Sequence, residues 1–145
     1  MTKQYDIIYE DQLEVGMKDT LSKKITAADV DKFVEVTGDR NPMHTDDEFA
    51  KATQFGGRIA HGMISAGLIS AVLGMKIPGP GAIYLGQTLT FKAPVHFDDV
   101  LSATAEVVQI DQKKKFKIAT LDTKVVNQKG QVVTEGTATI IPAQR

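Results

Sequence analysis

The sequence of 145 residues contains no cysteine. Disulfide bonds, a thiolate nucleophile and cysteine-ligated zinc are therefore all excluded. An excess of charge of one sign is also lacking, since 17 lysine and arginine residues nearly balance 18 aspartate and glutamate residues. A formal net charge of -1 provides no broad basic surface of the kind that binds nucleic acid.

No hydrophobic run has the length needed to cross a bilayer. The longest apolar stretch, around residues 62–75, is interrupted by serines and glycines and falls short of the roughly 20 residues of a membrane-spanning helix. The N-terminal stretch MTKQYDIIYEDQ lacks the apolar core and small-residue cleavage site of a secretory signal. These features predict a soluble, cytoplasmic protein, and the length predicts one domain, residues 1–145.

The two halves of the sequence differ in pattern. Residues 26–76 are helical in pattern, whereas residues 83–141 contain runs rich in Val, Ile, Thr and aromatic residues. These runs predict about four long strands, with a further strand near residues 5–9 or 17–24. Residues 127–130, NQKG, predict a turn between two adjacent antiparallel strands. Helices followed by strands favour an α+β fold, in which an antiparallel sheet curves around one hydrophobic helix.

Capping signals mark the predicted helices. Thr26 followed by Asp29 predicts the start of a first helix, and Gly38 predicts its end. Residues 45–48, TDDE, repeat the signal and predict a short second helix. A third helix, over residues 63–75, is apolar nearly all round, and this predicts burial on most of its sides.

Residues 38–44, GDRNPMH, combine an acid, an amide and an imidazole between the first two predicted helices. Asp, Asn and Pro are common in turns, so a purely structural turn is one interpretation. Pro42 also restrains the loop, and Asn41 can hydrogen-bond its backbone, which would leave Asp39 free to face a cavity. Asp39 and His44 held together can act as an acid–base pair on water. The residues alone leave both interpretations open.

A second polar segment, RIAHG at residues 58–62, precedes the apolar helix. The start of a helix offers unpaired N–H groups and the positive end of its dipole, so an oxyanion near the Gly62 N–H would be stabilised there. The alternative is that Gly62 only eases the start of the helix and that His61 caps it.

Other chemistries have weaker support. The three histidines match no zinc signature, so no metal site is expected. Ser65 or Ser70 can be combined with His44 and Asp39 as a triad, but the nucleophile motif G-x-S-x-G is absent, and both serines fit small positions on a helix. The basic run at residues 113–115 favours a solvated turn, with contact to a phosphorylated ligand as the alternative.

The two polar segments together resemble a known family. G-D-x-N-P-x-H, followed after a short helix by R-I-A-H-G-M, resembles the MaoC-like, (R)-specific enoyl-CoA hydratases of the hot-dog fold. Residues 83–95, IYLGQTLTFKAPV, resemble the strand after the central helix of that family, so the likeness extends from about residue 12 onward. The likeness is to the short, single-domain bacterial hydratases that supply precursors for polyhydroxyalkanoate synthesis.

The resemblance implies roles for the matching residues. Asp39 is expected to act as general base toward water, and His44 to hold the water and deliver a proton to the α-carbon of an enoyl thioester. Asn41 is expected to support their geometry. The backbone N–H of Gly62 is expected to bind the thioester carbonyl.

The resemblance also implies a substrate site and an assembly. Ser70 and Leu73 are expected to line the acyl tunnel, and Ile59 and His61 to contact the substrate. No cofactor is expected, since coenzyme A is part of the substrate. A homodimer is expected, with its sheets joined edge to edge and the ligand near the interface.

The implied activity is the reversible (R)-specific hydration of short- to medium-chain trans-2-enoyl-CoA. Dehydration of (3R)-hydroxyacyl-acyl-carrier-protein is the alternative, although the net charge of -1 argues mildly against a basic docking surface. A hot-dog thioesterase or a non-catalytic acyl-thioester-binding module are further alternatives. The complete heptapeptide GDRNPMH argues against the thioesterase, and the joint presence of Asp39 and His44 argues against the non-catalytic module.

Overall fold

The computed structural model describes residues 4–145. Within these residues the chain forms four helices and eight strands. The helices are α1 (Ala27–Thr37), α2 (Pro42–Thr45), α3 (Asp47–Lys51) and α4 (Gly62–Met75). The strands are β1 (Lys18–Lys24), β2 (Ile59–Ala60), β3 (Ile83–Gln87), β4 (Thr90–Phe91), β5 (Val95–His96), β6 (Val100–Gln112), β7 (Lys117–Val126) and β8 (Val132–Ile141).

One antiparallel sheet organises the chain. Its strands lie in the order β1-β6-β7-β8-β3, and β4 also pairs with β8. The short strands β2 and β5 form a separate antiparallel pair. The sheet packs against α4, which contacts β6 more than any other strand. The predicted α+β architecture of the hot-dog fold, an antiparallel sheet around a central helix, is confirmed.

The core lies between α4 and the inner face of the sheet. Residues of β6 alternate between buried and partly exposed positions over most of the strand, as expected when one face of a sheet covers a core. From α4, Leu68, Ile69, Val72 and Leu73 enter the same hydrophobic cluster. Burial of each such side chain contributes roughly 1.5–3 kcal/mol, so this contact is a main source of stability.

The opposite face of α4 is open. The sequence predicts burial on most sides of this helix, but Met63, Gly67, Ser70 and Gly74 are exposed. They follow one another at helical spacing and form a single stripe. The prediction was wrong for this stripe because the sheet of one chain covers only one side of the helix. None of the helices in the described part of the chain is long and apolar enough to cross a membrane.

The strand predictions hold for the long runs. A strand over Lys18–Lys24 is confirmed, whereas residues 5–9 form none. The NQKG turn joins β7 to β8 as an antiparallel hairpin, with Gly130 N–H donating to the Asn127 carbonyl. The run after the central helix is not one long strand but three short ones. Its register with β8 shifts between Tyr84 and Gly86, and a proline within the run has no N–H to donate to the ladder.

The first helix begins and ends where its capping residues predict. Thr26 Oγ1 accepts the Asp29 N–H at 3.2 Å, and the Asp29 carboxylate accepts the Thr26 N–H at 2.9 Å. This backbone hydrogen bond from Thr26 is the main reason that the pKa of Asp29 lies below its usual value. Gly38, with φ of 76°, ends the helix in the left-handed region that glycine adopts without strain.

The second capping signal is displaced. Thr45 belongs to α2, and its hydroxyl donates to the carbonyls of Arg40 and Asn41. Asp46 instead caps α3, and its Oδ1 accepts the Phe49 N–H at 3.1 Å. The predicted start was wrong by one residue because Thr45 is the last residue of α2, which begins within the GDRNPMH segment at Pro42.

Candidate active site

The GDRNPMH segment is fixed at both ends. It begins at the C-terminal glycine of α1 and passes directly into α2. Asn41 caps α2, since its Oδ1 accepts the Met43 N–H at 3.1 Å, and Pro42 occupies the first helical position, where a missing N–H costs nothing. The segment is therefore a turn with restrained geometry. His44 is buried on α2 as a consequence.

The imidazole of His44 is held in one tautomer. Its Nδ1 lies 2.7 Å from the backbone oxygen of Ile59. A carbonyl oxygen only accepts hydrogen bonds, so Nδ1 carries the hydrogen and neutral His44 presents Nε2 as an acceptor. Arg58 supports the same residue from the backbone side, because its Nε donates to the His44 carbonyl at 2.8 Å. His44 is thus positioned to take or give a proton at Nε2.

The carboxylate of Asp39 is hydrogen-bonded within its own turn, whereas the sequence predicts that it is free to face a cavity. Its Oδ1 accepts the Asn41 backbone N–H at 3.2 Å, so the carboxylate takes part in the turn. The side chain remains 52% exposed, and Oδ2 lies 3.9 Å from Nε2 of His61. Asp39 does not line the cavity that borders His44 in the described part of the chain. The prediction that it faces a cavity is therefore not met within the single chain.

His61 connects Asp39 with His44. Its ring stacks on His44 with centroids 3.8 Å apart, and Phe33 packs on it at 4.6 Å. Nε2 lies 3.1 Å from the Asp39 carbonyl oxygen and donates to it. Among residues 4–145, Nδ1 of this ring is buried without a hydrogen-bond partner. Burial lowers the pKa of His61, and the neighbouring His44 lowers it further, although the hydrogen bond to Asp39 opposes this.

Asp39, His44 and His61 each place one potential ligand atom within 4.8 Å of the others. The expectation of no metal site rested on spacing along the sequence, which does not reveal this grouping. One nitrogen of each ring already donates to a backbone carbonyl. The cluster is thus built of two oriented rings beside a carboxylate, an arrangement suited to proton transfer.

Gly62 begins α4 beside a cavity of about 430 Å³ that His44 also lines. The side chain of the preceding residue, His61, makes no capping hydrogen bond, so it does not occupy the first N–H groups of the helix. The ring of Phe91 packs directly on Gly62, and a Cβ at position 62 would lie 2.9 Å from two of its carbons. The packing of Phe91 therefore favours glycine at position 62.

The cavity has mostly apolar walls. Of the residues predicted to contact the substrate, Ile59 lines the cavity, whereas His61 lies behind His44. Ser70 lies on the open stripe of α4 and Leu73 in the core, and neither lines this cavity. Sequence reasoning did not identify the following wall residues: Phe55, Met63, Phe91, Lys92 and Thr134.

The fold brings these wall residues to the cavity from α4, strands and loops. Phe91 and Lys92 lie within the stretch that resembles the strand after the central helix, so that stretch was the available signal. Thr134 lies within β8, one of the runs predicted as strands, and carries no local signal of function.

Several known proteins are similar to this chain in sequence and in fold. Residues 11–129 match the family described as the MaoC like domain. The chain is 48% identical over 120 residues to a 3-hydroxybutyryl-CoA dehydratase of Methylorubrum extorquens, covering 82% of this chain and 76% of the relative. It is 44% identical over 137 residues to an (R)-specific enoyl-CoA hydratase of Rhodospirillum rubrum, covering 94% and 93%. The unliganded R-hydratase PhaJ1 of Pseudomonas aeruginosa superposes with a TM-score of 0.90 at 43% identity, covering 99% of this chain and 90% of that one.

Proposed function

The chain belongs to the family of MaoC-like domains, and we propose that it is a hydro-lyase that adds water to trans-2-enoyl-CoA to form (3R)-hydroxyacyl-CoA. The observation that carries this proposal is the state of His44. Its Nδ1–H is bound to Ile59, and its Nε2 is left as the nitrogen available to a water in the cavity beside Gly62. The reaction is reversible, so the same site dehydrates the (3R)-hydroxyacyl thioester.

Asp39 and His44 act on one water molecule in this proposal. The carboxylate of Asp39 takes a proton from the water, whose oxygen forms a bond to the β-carbon as the alkene π bond is lost. The proton then passes from Asp39 to Nε2 of neutral His44 within the cluster, and the imidazolium formed there delivers it to the α-carbon. The water is thus fully consumed, and both groups return to their initial states, ionised Asp39 and neutral His44.

The start of α4 supports the charge that develops on the substrate. As the hydroxyl adds, electron density moves toward the thioester oxygen, and the Gly62 N–H at the helix N-terminus stabilises it. Gly62 has no side chain to hinder the approach of the carbonyl to its N–H, and the Phe91 ring packs where a Cβ would lie. Asn41 contributes by capping α2 and so fixing His44.

Short- to medium-chain acyl groups are the proposed substrates. The apolar cavity of about 430 Å³ accepts the reacting end of the thioester, with Ile59 in contact and His61 supporting from behind. The roles of Ser70 and Leu73 in setting acyl length remain predictions. Coenzyme A is carried by the substrate, and the chemistry proposed for Asp39, His44 and Gly62 requires no resident cofactor.

The proposal includes a homodimer and a cytoplasmic location. Strand β3 lies at one edge of the sheet. Its side chains Ile83, Tyr84 and Leu85 are 57%, 38% and 49% exposed, an apolar edge that pairing with a second copy would cover. Light scattering on the purified protein measures the mass in solution. A monomer would contradict this part of the proposal without affecting the proposed chemistry.

Crotonyl-CoA tests the proposed reaction. Hydration removes the ultraviolet absorbance of its conjugated enoyl thioester without releasing a thiol, and a thiol reagent in a parallel reaction should detect none. Thiol release would identify a thioesterase instead. Turnover of a crotonyl-acyl-carrier-protein with no turnover of crotonyl-CoA would identify a carrier-protein dehydratase. Binding of crotonyl-CoA without any turnover would identify a non-catalytic module.

A further inference from the structure

Two buried hydroxyl groups link the start of α4 to the sheet. Ser65 lies one turn after Gly62, and its Oγ donates to the Gly62 carbonyl at 2.6 Å. The same Oγ lies 2.6 Å from Oγ1 of Thr134 on β8. Ser65 and Thr134 are 0% and 1% exposed. Neither hydroxyl takes part in the proton transfers proposed above, so their contribution needs a separate explanation.

The direction of these hydrogen bonds follows from counting hydrogens. Ser65 has one hydroxyl hydrogen, and the Gly62 carbonyl can only accept, so that hydrogen points to Gly62. The Thr134 hydroxyl must therefore donate to the Ser65 oxygen. The result is a directed chain of hydrogen bonds from the Thr134 hydroxyl through the Ser65 hydroxyl to the Gly62 carbonyl, in which each donor holds the next group in place.

The same part of the sheet holds Gly62 from a second side. Thr134 is paired in register with Phe91 on β4, and the Phe91 ring packs against the Cα of Gly62. The β4–β8 pair thus fixes Gly62 through a ring on one side and through two hydroxyls on its carbonyl. All of these groups except Ser65 line the cavity that His44 borders.

We propose that Thr134 and Ser65 are positioning residues for the Gly62 N–H, an inference that rests on the proposed hydratase function. Stabilisation of an oxyanion depends on hydrogen-bond donors that are held at the correct distance before the reaction. Loosening the first turn of α4 should therefore reduce the stabilisation of the transition state more than it reduces the affinity for substrate. Loss of the Thr134 hydroxyl leaves the Ser65 oxygen without its donor. The Gly62 turn then loses its tie to β8.

Three variants test this role. Thr134→Val removes the hydroxyl with little change of shape, and Thr134→Ser keeps it. Thr123→Val is a matched control, because Thr123 is also buried on the sheet and its hydroxyl donates to a backbone carbonyl, that of Gly136, at 3.0 Å. With crotonyl-CoA we expect kcat to fall about tenfold in Thr134→Val with KM nearly unchanged, less than the roughly hundredfold cost of removing an oxyanion donor outright. Thr134→Ser should restore most of kcat, and Thr123→Val should keep the wild-type kcat.

A double-variant comparison tests the directed chain. Ser65→Ala breaks the chain at its centre, so adding Thr134→Val to it should change kcat less than twofold. The pH profile should keep its shape in every variant, because no titratable group is removed.

Equal kcat in Thr134→Val and Thr123→Val would overturn the inference, as would a loss in Thr134→Ser as large as that in Thr134→Val. Ser65→Ala with the kcat of the wild type would also overturn it, and this decides the matter if Thr134→Val does not fold. An inactive wild-type protein would instead contradict the proposed function, so the two failures are distinct.

Discussion

The imidazole rings of His44 and His61 lie face to face, with centroids 3.8 Å apart and planes tilted by 30°. Burial lowers the pKa of His61, which favours its neutral form. This matters because the proposed reaction passes through imidazolium at His44. Two positive charges at such a distance would repel by roughly 4 kcal/mol at an effective dielectric constant of about 20, whereas a neutral ring imposes no such cost.

Replacing His44 by asparagine distinguishes the roles of its two ring nitrogens. The asparagine amide can donate to the Ile59 carbonyl in place of Nδ1, but nothing replaces Nε2. We expect kcat with crotonyl-CoA to fall by at least about a hundredfold while the melting temperature stays close to that of the wild type. Activity close to wild type in the folded variant would show that Nε2 moves no proton.

Two substitutions at His61 distinguish the role of its Nε2–H hydrogen bond from the role of its stacking on His44. His61→Gln can keep the hydrogen bond to the Asp39 carbonyl but loses the stacked ring, whereas His61→Phe keeps a ring against His44 and loses the donor. We expect kcat to fall about tenfold in His61→Phe and less in His61→Gln, since the donor fixes the backbone of Asp39. A more active phenylalanine variant would assign the main role to stacking.

The lowered pKa of His61 makes stability depend on pH. In the unfolded chain the pKa of this histidine is near 6.5, and in the folded state it is lower. As the pH falls below about 6.5, the unfolded state therefore binds more protons than the folded state. Stability linked to His61 is therefore complete above about pH 6.5 and decreases as the pH falls through and below it. Thermal unfolding between about pH 7.5 and pH 5.5 should show a smaller loss for His61→Gln than for the wild type. Equal losses would show that His61 does not contribute.

Gly62→Ala should reduce activity through Phe91. The added Cβ would lie 2.9 Å from two carbons of the Phe91 ring, so the ring or the helix start must move. We expect kcat/KM to fall by about tenfold, and the added substitution Phe91→Leu to recover part of it by making room. Steady-state kinetics of the single and double variants measures kcat/KM. A double variant no better than Gly62→Ala would show that the clash is not the cause.

The local parts of the fold could be predicted from the sequence. The capping pair Thr26 and Asp29, the glycine that ends α1 and the hairpin after β7 all depend on residues close together in the chain. The break of the run after α4 could not be predicted, because it follows from a shift of register with β8, a strand far along the sequence. The open stripe on α4 is a similar case, since a helix pattern does not show how many sides the sheet covers.

At the site, too, contacts between residues distant in the sequence could not be predicted. The motif around Asp39 and His44 and the helix start at Gly62 were visible as segments, and their resemblance to a family joined them. The stacking of His44 on His61 and the contact of Phe91 with Gly62 arise only when the chain folds. Thr134 had no local signal at all, because its importance comes from its place opposite Ser65.

The most direct measurement of the central claim compares the wild type with Asp39→Asn on crotonyl-CoA, with chiral analysis of the product. Asparagine keeps an oxygen for the Asn41 N–H, so the turn is preserved while the base is lost. We expect (3R)-hydroxybutyryl-CoA from the wild type and a rate at least about a hundredfold lower from the folded variant. Equal rates, or a (3S) product from the wild type, would contradict the claim.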